Sequence, residues 1–93
     1  MIWFVYLLEC KNGKLYTGIT TDLDKRFQRH ASGHGAKFTK RNPPSHMIAA
    51  KQCADRSAAC KLEWAMKQLK PAQKRSRASL WPLTKNLPIN RNK

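Results

Sequence analysis

Near its start the chain carries a run of β-branched and aromatic residues, Ile2-Trp3-Phe4-Val5-Tyr6-Leu7-Leu8. After Glu9 and Cys10 comes the tight-turn tetrapeptide Lys11-Asn12-Gly13-Lys14. No other feature limits the possible folds as much. The run reads as a strand, and because it is apolar at nearly every position it belongs in the middle of a sheet, covered on both faces. It is far too short to cross a bilayer, which takes about 20 apolar residues. The turn sends the chain back as a second strand, Lys14–Thr20.

The turn also decides which side chains share a face. A two-residue loop would make paired positions sum to 25 and put Tyr6 and Tyr16 on opposite faces. A three-residue loop, with Gly13 left-handed in a bulge, makes the pairs sum to 24. Tyr6 then opposes Gly18, Tyr16 opposes Leu8, and both phenols lie on one face. The sequence predicts this bulged register.

Downstream, Thr21 is the expected N-cap of a helix running from about Asp22 to Ala31, with Asp24 as its partner acid. Ala31–Ser45 holds two Gly, two Pro and the cationic or imidazole residues His34, Lys37, Lys40 and Arg41 around Phe38. It reads as a long functional loop. His46–Cys53 forms a third strand. Asp55 caps a second helix with Ala58, Leu62, Ala65, Met66 and Leu69 on one arc. Pro71 opens a third, basic helix to about Leu80. The expected fold class is α+β, a small three-stranded antiparallel sheet flanked by helices. The domain covers residues 1–80, and 81–93 forms a basic C-terminal tail, partly docked through Trp81 and Leu83.

Charge narrows the function. The 93 residues include 19 Lys and Arg against 5 Asp and Glu, a formal net charge of +14. A surplus of that size calls for a polyanion, nucleic acid first. A membrane surface is disfavoured, because the cations do not lie opposite one broad apolar face of a long helix. A ribosome-associated protein would explain the charge alone. Cys10, Cys53 and Cys60 are an odd set without a Cys-x-x-Cys pair, so they read as small buried hydrophobes rather than as disulfides or zinc ligands. With no Lys or Arg in the first ten residues, a signal peptide is not expected, and the cytoplasm is the expected compartment.

Three positions point at chemistry. At about 100° per residue, Arg26 and His30 form an i, i+4 pair at the edge of the first helix's buried face. A guanidinium and an imidazole projecting together suit a phosphate, although a core histidine beside a solvated arginine has the same spacing. Glu63 falls at the rim of the second helix's apolar arc. A lone carboxylate there could hold Mg²⁺ with water and substrate phosphate, or simply pair with Lys67 at i+4.

Together these residues resemble a known family. Phe4-Val5-Tyr6, Tyr16-Thr17-Gly18, Arg26, His30 and Glu63, in that order and spacing over roughly Ile2 to Lys74, resemble the GIY-YIG nuclease domain. The likeness is strongest to its small stand-alone bacterial members, the UPF0213-like proteins. Phe4-Val5 replaces the Gly-Ile of the first triplet, and Thr17 replaces the Ile of the second. The Asn that some members carry beyond the metal-binding Glu is missing from Lys70–Arg77.

The resemblance implies phosphodiester hydrolysis with one divalent ion, Mg or Mn, in the bacterial cytosol or nucleoid, in DNA repair or recombination. It makes Glu63 the metal ligand, Arg26 and His30 the contacts to the scissile phosphate, and Tyr6 and Tyr16 the motif tyrosines, with Gly18 structural at the site. Tyr6 and His30 remain rival bases. A non-catalytic nucleic-acid-binding module of the same fold is the alternative. The expected partner is nucleic acid, DNA above all, with targeting left to this domain or to a protein partner. Phosphate contacts are expected from Lys25, Arg29, Lys37, Lys40, Arg41, Lys70, Lys74, Arg75 and Arg77. Phe38 either stacks on an unpaired base or anchors the loop. Engaging about six cations would lower affinity by about three orders of magnitude between 50 and 200 mM salt.

Overall fold

The computed structural model describes residues 2–81 and 83–84. Its elements are β1 (Trp3–Cys10), β2 (Leu15–Thr20), α1 (Leu23–Ala31), α2 (Lys37–Arg41), β3 (Pro44–Cys53), α3 (Arg56–Lys67), α4 (Pro71–Ala78) and β4 (Leu83–Thr84). The antiparallel sheet has the order β2-β1-β3, as the sequence leads one to expect, with the two-residue β4 added beside β3. β1 is central, and Val5 to Leu8 are fully buried.

Gly13 adopts φ +85°. Its amide donates to Cys10 O at 2.9 Å, and the Cys10 amide donates to Lys14 O at 2.8 Å, closing a three-residue loop. The left-handed position is one that glycine takes without strain. Tyr6 therefore pairs with Gly18, and Leu8 with Tyr16.

Each face of β1 builds its own core. Val5 and Leu7 pack with Leu15, Ala49, Ala59 and Met66 of α3, Ala78 of α4 and Trp81. Tyr6 and Leu8 pack with Met47, Ala50, Tyr16, and Leu23 and Phe27 of α1. Alternation along the strand thus places α3 and α4 on one side of the sheet and α1 on the other. At the end of β1, Glu9 accepts from Arg75 of α4 at 3.4 and 3.2 Å and lies 3.8 Å from His46 Nε2.

Several expectations are corrected. The cap of α1 is Asp22, not Thr21: Asp22 Oδ1 accepts from the Lys25 amide at 3.0 Å, while Thr20 Oγ1 holds the Asp22 amide at 3.1 Å. The segment read as loop contains α2. This helix has no side-chain cap at Ala36 and is too short to stand on propensity, so tertiary contacts of Phe38 and Thr39 hold it. β3 starts at Pro44 rather than His46, and α4 ends at Ala78. Cys10 is buried, but Cys53 and Cys60 are only half-buried, and all three are free thiols. Asp55 does cap α3, accepting from the Ala58 amide at 2.8 Å. Pro71 is the first residue of α4. Of the segment read as a tail, Trp81 lies in the core and the backbone of Leu83–Thr84 pairs with Ala49 and Ala50. Residues 82 and 85–93 lie outside the described residues. Among the described residues no helix is long and apolar enough to cross a membrane.

Candidate active site

Strand parity brings Tyr6 and Tyr16 together, with ring centroids 6.3 Å apart. Gly18 makes this possible. A Cβ there would strike the Tyr6 hydroxyl, lie 2.6 Å from Cζ of the same ring and 3.1 Å from Cε2 of Tyr16. Any side chain at Gly18 would push the two phenols apart.

α1 lies over this face and supplies two groups one turn apart. His30 Nε2 is 2.8 Å from Tyr6 Oη, and the Arg26 Nε–H donates to the same oxygen at 3.3 Å. The Tyr16 ring completes the enclosure, edge-on to His30 with centroids 5.1 Å apart. Tyr6 and His30 are buried, while Arg26 and Tyr16 are half-buried and form the outer wall.

Two residues that the sequence did not flag belong here. Thr39 of α2 is buried, with Oγ1 2.7 Å from His30 Nδ1 and 3.0 Å from Ala36 O. At Gly35 a Cβ would press on Nδ1 and come within 3.0 Å of both Cα and Cε1 of His30. The only advance signal was their place in the cationic stretch around Phe38. Phe38 stacks on Tyr16, with centroids 5.8 Å apart and planes 29° apart, so it does anchor α2. It also lines a cleft of about 430 Å³ with Lys14, Lys37, Arg41 and Asn42. Asn12 Nδ2 donates to Asn42 Oδ1 at 2.7 Å, tying the hairpin turn to this cleft.

Burial sets the electrostatics. Tyr6 is pushed up to about 12, mainly by desolvation, against the lowering effect of its hydrogen bond from Arg26. His30 is held down to about 4 by burial and then by the Arg26 charge. The hydrogen bond to Tyr6 raises Arg26 further. The resting site therefore holds a neutral phenol, a neutral imidazole and a fixed guanidinium.

A stability prediction follows from His30. The unfolded chain takes up its proton near 6.5, whereas the folded chain refuses it until about 4. The group's contribution is intact above pH 6.5, declines as pH falls from there, and levels off below 4. About 2 kcal/mol should be lost between pH 7 and 5. Urea unfolding at both pH values should show the wild type losing about that much more than His30→Gln. Equal losses would mean that His30 titrates normally in the fold.

Glu63 projects from α3, on the other layer, at the rim the sequence assigned to it. It is half-buried and pairs with Lys67 at 3.2 Å. Its charge reaches Tyr6, where it is the smallest of the causes raising the phenol. Among the described residues no group of three or more His, Cys, Asp or Glu is gathered for a metal. A single carboxylate fits Mg²⁺ or Mn²⁺ only where substrate phosphate and water supply the remaining oxygens. The donor set matches that shared kind of site.

The predicted phosphate contacts divide between the two layers. Lys25, Arg29, Lys37, Lys40 and Arg41 are exposed on α1 and α2, beside the tyrosines. Arg29 also donates to His34 O at 3.2 Å. Lys70 precedes α4, and Lys74, Arg75 and Arg77 lie on it, across the sheet. Thr17, standing where the family motif has Ile, faces the α3 layer, and its buried hydroxyl finds no partner among the described residues.

The GIY-YIG catalytic domain model matches residues 2–76, the span that contains every residue of this cluster. The chain belongs to the GIY-YIG family. Its curated relatives carry the name UPF0213. A protein of Xanthomonas campestris is 46% identical over 79 residues, covering 85% of this chain and 74% of the relative. One from Desulfotalea psychrophila is 45% identical over 75 residues, covering 80% and 68%. Among solved structures, UPF0213 protein BH0048 from Bacillus halodurans superposes with a TM-score of 0.55 at 41% identity, over 86% of this chain and 85% of that one. Protein EF2693 from E. faecalis gives 0.60 at 38% identity, over 85% and 84%. GIY-YIG domains are in general nucleases, which agrees with the basic surface and the buried phenol–imidazole pair.

Proposed function

We propose that this GIY-YIG domain is a divalent-metal-dependent nuclease that hydrolyses phosphodiester bonds in DNA or structured nucleic acid, serving repair or recombination. The observation that carries it is the hydrogen-bonded series Arg26–Tyr6–His30, enclosed behind Tyr16 and bordered by exposed cations. The buried phenol–imidazole pair steadies the core in any such module, and its line from a half-exposed guanidinium to an imidazole is what a proton relay needs beyond that.

The residues suggest how the work is shared. The Arg26 Nε–H rests on Tyr6, which leaves the terminal nitrogens of the guanidinium to meet a phosphate. Drawing Arg26 onto that phosphate uncovers Tyr6 Oη. The exposed phenol oxygen can then take a proton from an attacking water while its own proton passes to His30 Nε2. This joins the two rival bases in one relay. The transition state gathers negative charge on the phosphate oxygens, where Arg26 stabilises it. Glu63 would hold the divalent ion, and the chemistry the ion would supply when bound is Lewis-acid charge for the phosphoryl group. The cleft lined by Lys14, Lys37, Phe38 and Arg41 would take the neighbouring nucleotide, its phosphate on the cations and its base against the ring.

The test is a cleavage assay with Mg²⁺ or Mn²⁺ on single-stranded, duplex and branched DNA. The wild type should cut in a metal-dependent manner, and Glu63→Ala should lose the metal-dependent fraction. Binding without any cleavage by the wild type would leave the binding module as the function. Undiminished cleavage by Glu63→Ala would remove that residue from the site.

A further inference from the structure

We propose that Thr39, given room by Gly35, is a positioning residue that holds His30 as the Nδ1–H tautomer, so that the Nε2 lone pair is the acceptor for the Tyr6 proton. This rests on the nuclease reading above and adds to it the residue that sets the direction of the relay.

Counting hydrogens gives the assignment. The Thr39 hydroxyl has one hydrogen and two neighbours, Ala36 O at 3.0 Å and His30 Nδ1 at 2.7 Å. A carbonyl can only accept, so the hydroxyl donates to Ala36 O, and Nδ1–H must donate to Thr39 Oγ1. The ring is neutral, so its Nε2 is bare. Tyr6 Oη, 2.8 Å away, donates there and accepts from the Arg26 Nε–H at 3.3 Å. Every hydrogen then has one acceptor.

The opposite tautomer fails at Tyr6. Its oxygen would face two donors, Nε2–H and the Arg26 Nε–H, and its own hydrogen would have no acceptor among these partners. Both rings are buried, so water does not repair the mismatch. Gly35 serves the same contact from the other side, because a Cβ there would press on Nδ1. A histidine's second nitrogen fixes which lone pair it offers, and here the fixing partner comes from α2.

The test uses the full chain with ¹⁵N-labelled histidine, the His30 ring signals being identified by their absence in His30→Gln. The wild type should show the Nδ1–H tautomer alone. Thr39→Val keeps the side chain's shape and removes the acceptor. It should give a mixture of tautomers and cleave about 10- to 100-fold more slowly, with DNA affinity unchanged. Thr39→Ser should restore both the tautomer and the rate. Gly35→Ala should disturb the ring in the same sense.

A wild-type ring carrying its hydrogen on Nε2 overturns the proposal. So does an unchanged tautomer in Thr39→Val, or a Thr39→Ser that restores neither. Should Thr39→Val fail to fold, the wild-type and Thr39→Ser spectra still decide. Should the wild type cleave nothing, the nuclease reading falls while the spectra judge the tautomer independently.

Discussion

Tyr6→Phe is expected to slow cleavage by about 10²- to 10⁴-fold, the usual worth of a positioned proton-transfer group. The fold should survive. Phenylalanine fills the same volume in the same core, so packing with Leu8, Met47 and Ala50 is kept. The variant loses the hydrogen bond to His30 Nε2 at 2.8 Å and the one from Arg26 at 3.3 Å. Leaving the buried imidazole nitrogen unpaired should cost about 1–3 kcal/mol, a modest drop in the urea midpoint.

The rate loss is large because the phenol sits between two groups that cannot exchange a proton directly. With Tyr6 near 12 and His30 near 4, the proton stays on the phenol in the resting protein. Transfer to the imidazole is uphill there, because burial raises the phenol and lowers the imidazole. Only charge brought by the substrate complex closes that gap, and it acts through the Tyr6 oxygen. Single-turnover rates with saturating protein isolate this step from binding. Tyr16→Phe keeps the ring between His30 and Phe38 and should lose less. A Tyr6→Phe chain that cleaves at the wild-type rate would remove the phenol from the chemistry.

Much of this site was legible in the sequence, because its logic is local. Strand parity and one left-handed glycine set Tyr6, Tyr16 and Gly18 on one face. The helical repeat aligned Arg26 with His30, and it put Glu63 on the rim of α3. Thr39 and Gly35 were not legible. Each matters only through His30, and no local pattern records a contact that depends on where α2 docks. α2 itself stayed hidden for the same reason, since its five residues have no side-chain N-cap and lean on Tyr16 and His30. The cap of α1 was misplaced by one residue because Thr21 and Asp22 are adjacent plausible acceptors, and backbone geometry chose the carboxylate. Sequence also could not show that the cations form two groups, because only the topology separates α1 and α2 from α4.

That separation decides which cations salt should act on. A strand whose phosphate lies at Arg26 runs beside Lys25, Arg29, Lys37, Lys40 and Arg41, all exposed on the tyrosine side. α4 packs against the opposite face of β1, and its Arg75 is already engaged by Glu9 at 3.2 Å and by Gly13 O at 3.4 Å. With Arg26 the expected count is therefore about six phosphate contacts, all on the tyrosine side. Six contacts give a slope of log affinity on log salt of about −4 for a single strand and about −5.5 for a duplex. Affinity should fall by about three orders of magnitude between 50 and 200 mM salt. The triple variant Lys37→Glu, Lys40→Glu, Arg41→Glu should flatten the slope by about two to three units. Lys74→Glu with Arg77→Glu should leave it nearly unchanged. Fluorescence anisotropy of a labelled oligonucleotide in metal-free buffer measures both without cleavage. A slope flattened equally by the α4 pair would mean that nucleic acid wraps the far face of the sheet, and the cleft beside Phe38 would lose its place as the path of the strand.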